Sequence, residues 1–177
     1  MRRRWGWAAL VLTAAVLMTV KTVGASSSEI RARATMSGEN TRGRGGASFQ
    51  VARDGMSVEY HLEAANLNDL VTMAHIHAGT ADQNGPIVVW LFPGAPPGSA
   101  GVEARGRLAE GVITPDSLRG PYAGQWEQFK QDLTTGKLYV NVHTIVNPAG
   151  EIRGQVDDRG GHHEPEPGDD RGRGGRR

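Results

Sequence analysis

Cysteine is missing from all 177 residues, so the chain has no disulfide, no thiol nucleophile, no lipoprotein anchor and no cysteine-based zinc site. Its stability has to come from a packed core. An excess of charge of one sign is missing too. The formal net charge of +1 is set by the first residues: without Arg2, Arg3, Arg4 and Lys21, 16 basic residues face 19 acidic ones, a net of −3. A nucleic-acid surface needs clustered excess lysine and arginine, and this balance offers none. No Gly-x-Ser-x-Gly elbow, phosphate loop or serine beside a suitable histidine and aspartate occurs, so nucleophilic catalysis has no support.

Long apolar runs are also lacking. Residues 1–25, MRRRWGWAALVLTAAVLMTVKTVGA, carry a basic start at Arg2, Arg3 and Arg4, an apolar segment from Trp7 to Val20, and the small-residue pair Val23 and Ala25. That is the pattern of a cleavable secretory signal. The apolar segment stops at Lys21, short of the ~20 residues a bilayer span needs. The expectation is a secreted or periplasmic protein with no stable membrane span after signal cleavage. At the far end, residues 157–177 are charge, Gly, Pro and His with no apolar side chain, the composition of a disordered charged tail. His162 and His163 within it read as solvated. Residues 28–156 are left as one domain with one core.

What fills that domain is period-two alternation, the signature of half-buried antiparallel strands. Ile30, Ala32, Ala34 and Met36 alternate with Arg31, Arg33 and Thr35; Val58, Tyr60 and Leu62 with Glu59, His61 and Glu63; Leu138, Val140 and Val142 with Tyr139, Asn141 and His143. Ala47, Phe49 and Val51 follow a Gly-rich turn, and Val102, Ala104 and Leu108 mark a further strand. PIVVWLF, Pro86 to Phe92, is apolar on both faces, which places it centrally or under a loop. Asn147, Pro148, Ala149 and Gly150 supply the chemistry of a tight hairpin turn. One stretch differs: Thr114-Pro115-Asp116 resembles a helix start, and Trp126, Phe129 and Leu133 fall at i, i+3 and i+7 before Gly136, predicting one short helix docked on the sheet. About eight strands with one short helical insertion make an all-β fold, a β-sandwich or open barrel.

Histidines carry the chemistry that remains. Residues two apart in a strand share a face, so His75 and His77 point together, away from Ile76. If Ile76 is buried, both rings lie on the outer face, and by the same parity so does His143. The three meet only if the strand of Leu138 to Val146 lies beside that of Val71 to Ala78. Three nitrogen ligands suit copper or zinc, and His61, also outward, is a secondary candidate. The competing reading is structural, each ring bonded to a carbonyl or hydroxyl. Asp82 and Asn84 read as turn formers, and Glu151 is set aside because spacing from the Pro148 turn puts it roughly 10 Å or more from His143.

AHIHAG at Ala74–Gly79, GPIVVWL at Gly85–Leu91, LYVNVHT at Leu138–Thr144 and NPAGEIRGQ at Asn147–Gln155 together resemble the hallmark segments of the CHRD domain, the module first described in chordin. The resemblance spans about Ile30 to Val156. Where family members carry an Asn-Glu-Val-Pro-Pro-like segment, this chain has GENTRGRGGASF at Gly38–Phe49. The resemblance implies an immunoglobulin-like or Greek-key β-sandwich outside the cytoplasm, with no activity assigned to the module itself. A fainter similarity, the H-x-H on an outer strand, is to copper/zinc superoxide dismutases. The leading expectation is therefore an exported, non-catalytic binding module whose ligand is an extracellular protein, a surface polymer or a metal ion held by His75, His77 and His143. The alternative is a copper-dependent redox enzyme.

Overall fold

The computed structural model describes residues 30–92 and 101–158, so the expected leader at 1–25 and residues 159–177 of the expected tail lie outside the described residues. Alternation resolves into eight strands: β1 Arg31–Ser37, β2 Arg44–Val51, β3 Val58–Ala65, β4 Val71–Ala78, β5 Ile87–Phe92, β6 Arg105–Ile113, β7 Thr135–Thr144 and β8 Ile152–Asp157. β8 runs one residue past Val156, and Asp157 pairs with both Arg33 and Thr135.

All strand pairs are antiparallel, in the order β5-β4-β7-β8-β1-β2-β3-β6. The sheet curls until its two end strands, β5 and β6, touch. Across the gap the Tyr60 hydroxyl of β3 donates to the Leu91 carbonyl of β5 at 2.6 Å. This is an all-β open barrel built from a single curled sheet. Its interior is the apolar phase of the alternation: Ala32, Ala34 and Met36 from β1, Phe49 from β2, Leu62 from β3, Ile76 from β4, and Val140 and Val142 from β7 all lie in one buried cluster. Removing such side chains from water is the main favourable term in folding a chain without cross-links.

β5 is not central; it is an end strand of the hydrogen-bonding order. The segment after β6 lies against it, with the Arg119 N–H donating to the Val88 carbonyl at 2.8 Å, and Val88 is fully buried while Trp90 stays 48% exposed. The same segment divides what the sequence suggested was one helical stretch. Thr114-Pro115-Asp116 opens a 3₁₀ turn, Pro115–Ser117, a second follows at Gly120–Tyr122, and the helix proper, α1, is Trp126–Asp132. Phe129 and Leu133 are buried and Trp126 donates its indole N–H to the Gly55 carbonyl at 2.8 Å, so these residues dock α1 on the barrel as their spacing requires. No helix among the described residues is long and apolar enough to cross a membrane.

Candidate metal centre

β4 lies beside β7, with His75 opposite Asn141, His77 opposite Tyr139 and Met73 opposite His143. The condition for the three histidines to meet is therefore satisfied. Cross-strand neighbours on one face have Cβ atoms about 4.5–5.5 Å apart, and the rings converge: His75 and His143 centroids are 5.0 Å apart, His75 and His77 5.5 Å. One ligand nitrogen from each of His75, His77 and His143 lies within 4.8 Å of the other two.

Parity places the rings opposite Ile76, as expected, but not in solvent. His75, His77 and His143 retain only 1%, 7% and 6% of their exposure. Three features cover them. Trp90 of β5 stands edge-on to His75 at 4.1 Å between centroids. Tyr139 stacks on His77 at 4.9 Å. The loops after β4 and β7 fold inward, and Gly85 enables the first: a Cβ there would sit 1.8 Å from the Ala78 carbonyl oxygen. In the second, Asn147–Gly150 forms the expected turn, with the Gly150 N–H donating to the Asn147 carbonyl at 3.0 Å.

Those loops also fix the protons. His77 Nδ1 lies 2.9 Å from the Gly85 carbonyl and His143 Nδ1 2.9 Å from the Pro148 carbonyl. A carbonyl only accepts, so each Nδ1 carries the hydrogen and each Nε2 is left as a bare lone pair. His75 Nδ1 is 3.2 Å from His143 Nε2. That spacing suits an imidazole hydrogen bond, and it also suits two ligands on one ion, since tetrahedral bonds of ~2.0–2.1 Å put ligand nitrogens roughly 3.3 Å apart. Drawing the third nitrogen in takes a closing of up to about 1.5 Å. Among the described residues the buried side-chain atoms without a partner are His75 Nε2, His77 Nε2 and Asn141 Oδ1. All three belong to the facing residues of β4 and β7. Orphaned buried acceptors are costly, and these three lie on the strands that carry the histidines.

Burial also sets the protonation of the rings. It pushes His75 down to about 3, helped by the charges that His143 and His77 would carry. Burial lowers His77 and His143 as well, against the opposing pull of the Gly85 and Pro148 carbonyls, with the Arg153 guanidinium adding to the depression in both. The rings are thus neutral, the form a metal ion needs.

The other candidates stand elsewhere. His61 is on the outer face of β3, 62% exposed and 3.5 Å from the Glu110 carboxylate, and does not join the cluster. Asn84 accepts a hydrogen bond from Arg153 at 2.6 Å and Asp82 is exposed. Glu151 is near His143 in the ladder, since its N–H donates to the Val142 carbonyl at 2.7 Å, so the spacing argument against it was mistaken. Its carboxylate is instead consumed by Thr41, the Asn68 N–H, Thr144 and Asn147, and burial is outweighed by these donors, which hold it below the ordinary carboxylate value. Sequence reading missed Trp90, Tyr139, Arg153 and the Gly85 and Pro148 carbonyls as the surround. For Tyr139 the signal was present, because it shares parity with His143 on β7; for the others it was not.

Comparison with known families gives a match to the CHRD domain over residues 25–156. No curated protein and no solved structure matches the chain.

Proposed function

The chain belongs to the CHRD domain family, and from that premise we propose that it is an exported, non-catalytic β-barrel module that binds copper or zinc through His75, His77 and His143. One observation carries the reading: three neutral, buried imidazoles turn nitrogens toward one another within 4.8 Å, with two of their Nε2 atoms lacking any partner. The carbonyls behind His77 and His143 are the outer-shell acceptors that orient histidine ligands. Cover by Trp90 and Tyr139 suits retention of an ion more than access for a substrate, which favours a binding role over the copper-dependent redox enzyme. The signal-like residues 1–25 lie almost wholly ahead of the family match at 25–156 and support action outside the cytoplasm, where an extracellular protein or a surface polymer would be the further partner.

The test is calorimetric titration of copper and zinc salts into the mature chain carrying His162→Ala and His163→Ala, so that the last residues cannot contribute. One ion per chain, lost on His77→Ala or His143→Ala, is expected. Binding weaker than about millimolar, or unchanged by both substitutions, would leave the histidines as sheet architecture. Rapid turnover of superoxide by the copper-loaded protein would shift the assignment to the redox enzyme.

A further inference from the structure

The three-histidine cluster has no negative charge and a positive one beside it. No aspartate or glutamate of the described residues joins the ligand group. The Arg153 guanidinium stands 5.9 Å from the centre of the Tyr139 ring, which in turn stacks on His77 at 4.9 Å. Arg153 spends its hydrogen bonds on neutral oxygens, the Asn84 side chain at 2.6 Å and the Ala149 carbonyl at 2.5 Å, so its charge is not cancelled there. A divalent ion held by neutral rings would bring its whole charge into a buried place already facing a cation. The cost of burying an ion rises with the square of its charge, so a dication costs about four times as much as a monocation of equal size.

A soft donor stands on the same face. Met73 precedes His75 by two residues, and in a strand that puts both on one side. The ladder sets Met73 directly opposite His143, with Cβ atoms about 4.5–5.5 Å apart. Met73 is half-buried, and its flexible side chain can swing a thioether toward the imidazoles. Thioether and imidazole together, without a carboxylate, suit monovalent copper, whereas zinc gains little from a thioether.

We infer that the cluster selects Cu(I) over divalent ions, with the Met73 thioether as a further ligand and Arg153 as the charge that disfavours Cu(II) and Zn(II). The inference rests on the three-histidine reading above and adds the oxidation state. Because nitrogen sites in general prefer Cu(II) to Zn(II), the telling comparison is Cu(I) against both divalent ions.

The experiment is competition against chromogenic chelators, anaerobic with ascorbate for Cu(I), and without reductant for Cu(II) and Zn(II). It uses the mature chain with His162→Ala and His163→Ala. Cu(I) is expected to bind more tightly than either divalent ion. Met73→Leu, which preserves volume, should weaken Cu(I) by about tenfold or more while leaving Zn(II) within about threefold. Arg153→Gln should narrow the gap between Cu(I) and Zn(II). Zinc bound as tightly as Cu(I), or Cu(I) affinity untouched by Met73→Leu, overturns the selectivity and leaves the three-histidine site standing. Failure to bind any of the three ions overturns the site itself and the selectivity with it.

Discussion

The imidazole of His77 lies almost parallel to the phenol of Tyr139, with 13° between the planes, and the same two residues are joined again through Gly85. The Gly85 N–H donates to the Tyr139 hydroxyl at 2.9 Å and the Gly85 carbonyl accepts from His77 Nδ1 at 2.9 Å. One stack and two hydrogen bonds close a circuit that sets ring tilt and tautomer together. Arg153 extends it. Its guanidinium lies 5.9 Å from the centre of the Tyr139 ring, and its bonds to Asn84 and Ala149 tie the loop that ends at Gly85 to the turn that holds Pro148.

Tyr139→Phe isolates the hydroxyl, because the stack on His77 survives. The Gly85 N–H then loses its acceptor in a half-buried place, a loss of about 1 kcal/mol, seen as a fall of a few degrees in Tm. Loosening the residue that orients His77 should weaken metal binding about tenfold. Unchanged affinity in titration would show that the stack alone orients the ring.

Gly85→Ala attacks the same circuit from the backbone. The added Cβ would lie 1.8 Å from the Ala78 carbonyl oxygen, so the loop must move, and the carbonyl bonded to His77 moves with it. Overpacking of this kind costs about 1–3 kcal/mol. The metal loss should exceed that of Tyr139→Phe. Gly46→Ala is the matching control, since its Cβ would meet nothing nearer than 3.9 Å. Equal effects from the two glycines would contradict the close approach as the cause.

The alternation of β1, β3 and β7 was legible in the sequence because strand parity is local: each apolar residue reports its own face. So was the shared face of His75 and His77. The neighbourhood of β4 and β7 was not, because 68 residues separate His75 from His143 and only the topology sets which strands pair. Exposure failed for a related reason. Parity says which side of the sheet His75 is on, but whether Trp90 and two loops cover that side depends on β5 and on the turn at Pro148. The apolar run Ile87–Phe92 left two placements open, central or under a loop, because its cover comes from Arg119 and Gly120–Tyr122, far along the chain.

Trp90 offers an optical readout of the site. If the leader is removed, Trp90 and Trp126 are the tryptophans that remain, and Trp126 is engaged with Gly55. In a Trp126→Phe background, copper bound at His75 stands close enough to the indole to quench its emission. Emission unaffected by stoichiometric copper, with binding verified by calorimetry, would place the ion away from His75.

Acid should unfold the metal-free protein through its histidines before its carboxylates. His75 is pushed down to about 3 by burial first and by its histidine neighbours second, whereas in the unfolded chain it titrates near 6.5. Between those values the unfolded state binds a proton that the folded state refuses, so stability is full above about 6.5 and falls as pH drops. His75 alone accounts for a loss of about 2 kcal/mol at pH 5. His77 and His143, also lowered, act in the same direction. Glu151 and Asp132 are lowered too, but they take up protons only in the ordinary carboxylate range and below, so the interval from pH 6.5 to 5 isolates the imidazoles. Urea unfolding at pH 7 and pH 5, in chelator, should show the drop, and His75→Leu should make the difference between the two pH values smaller. A midpoint that stays constant from pH 7 to pH 5 in the unsubstituted protein would mean that the rings accept protons in the folded state, and would remove the burial on which their readiness for a metal ion rests.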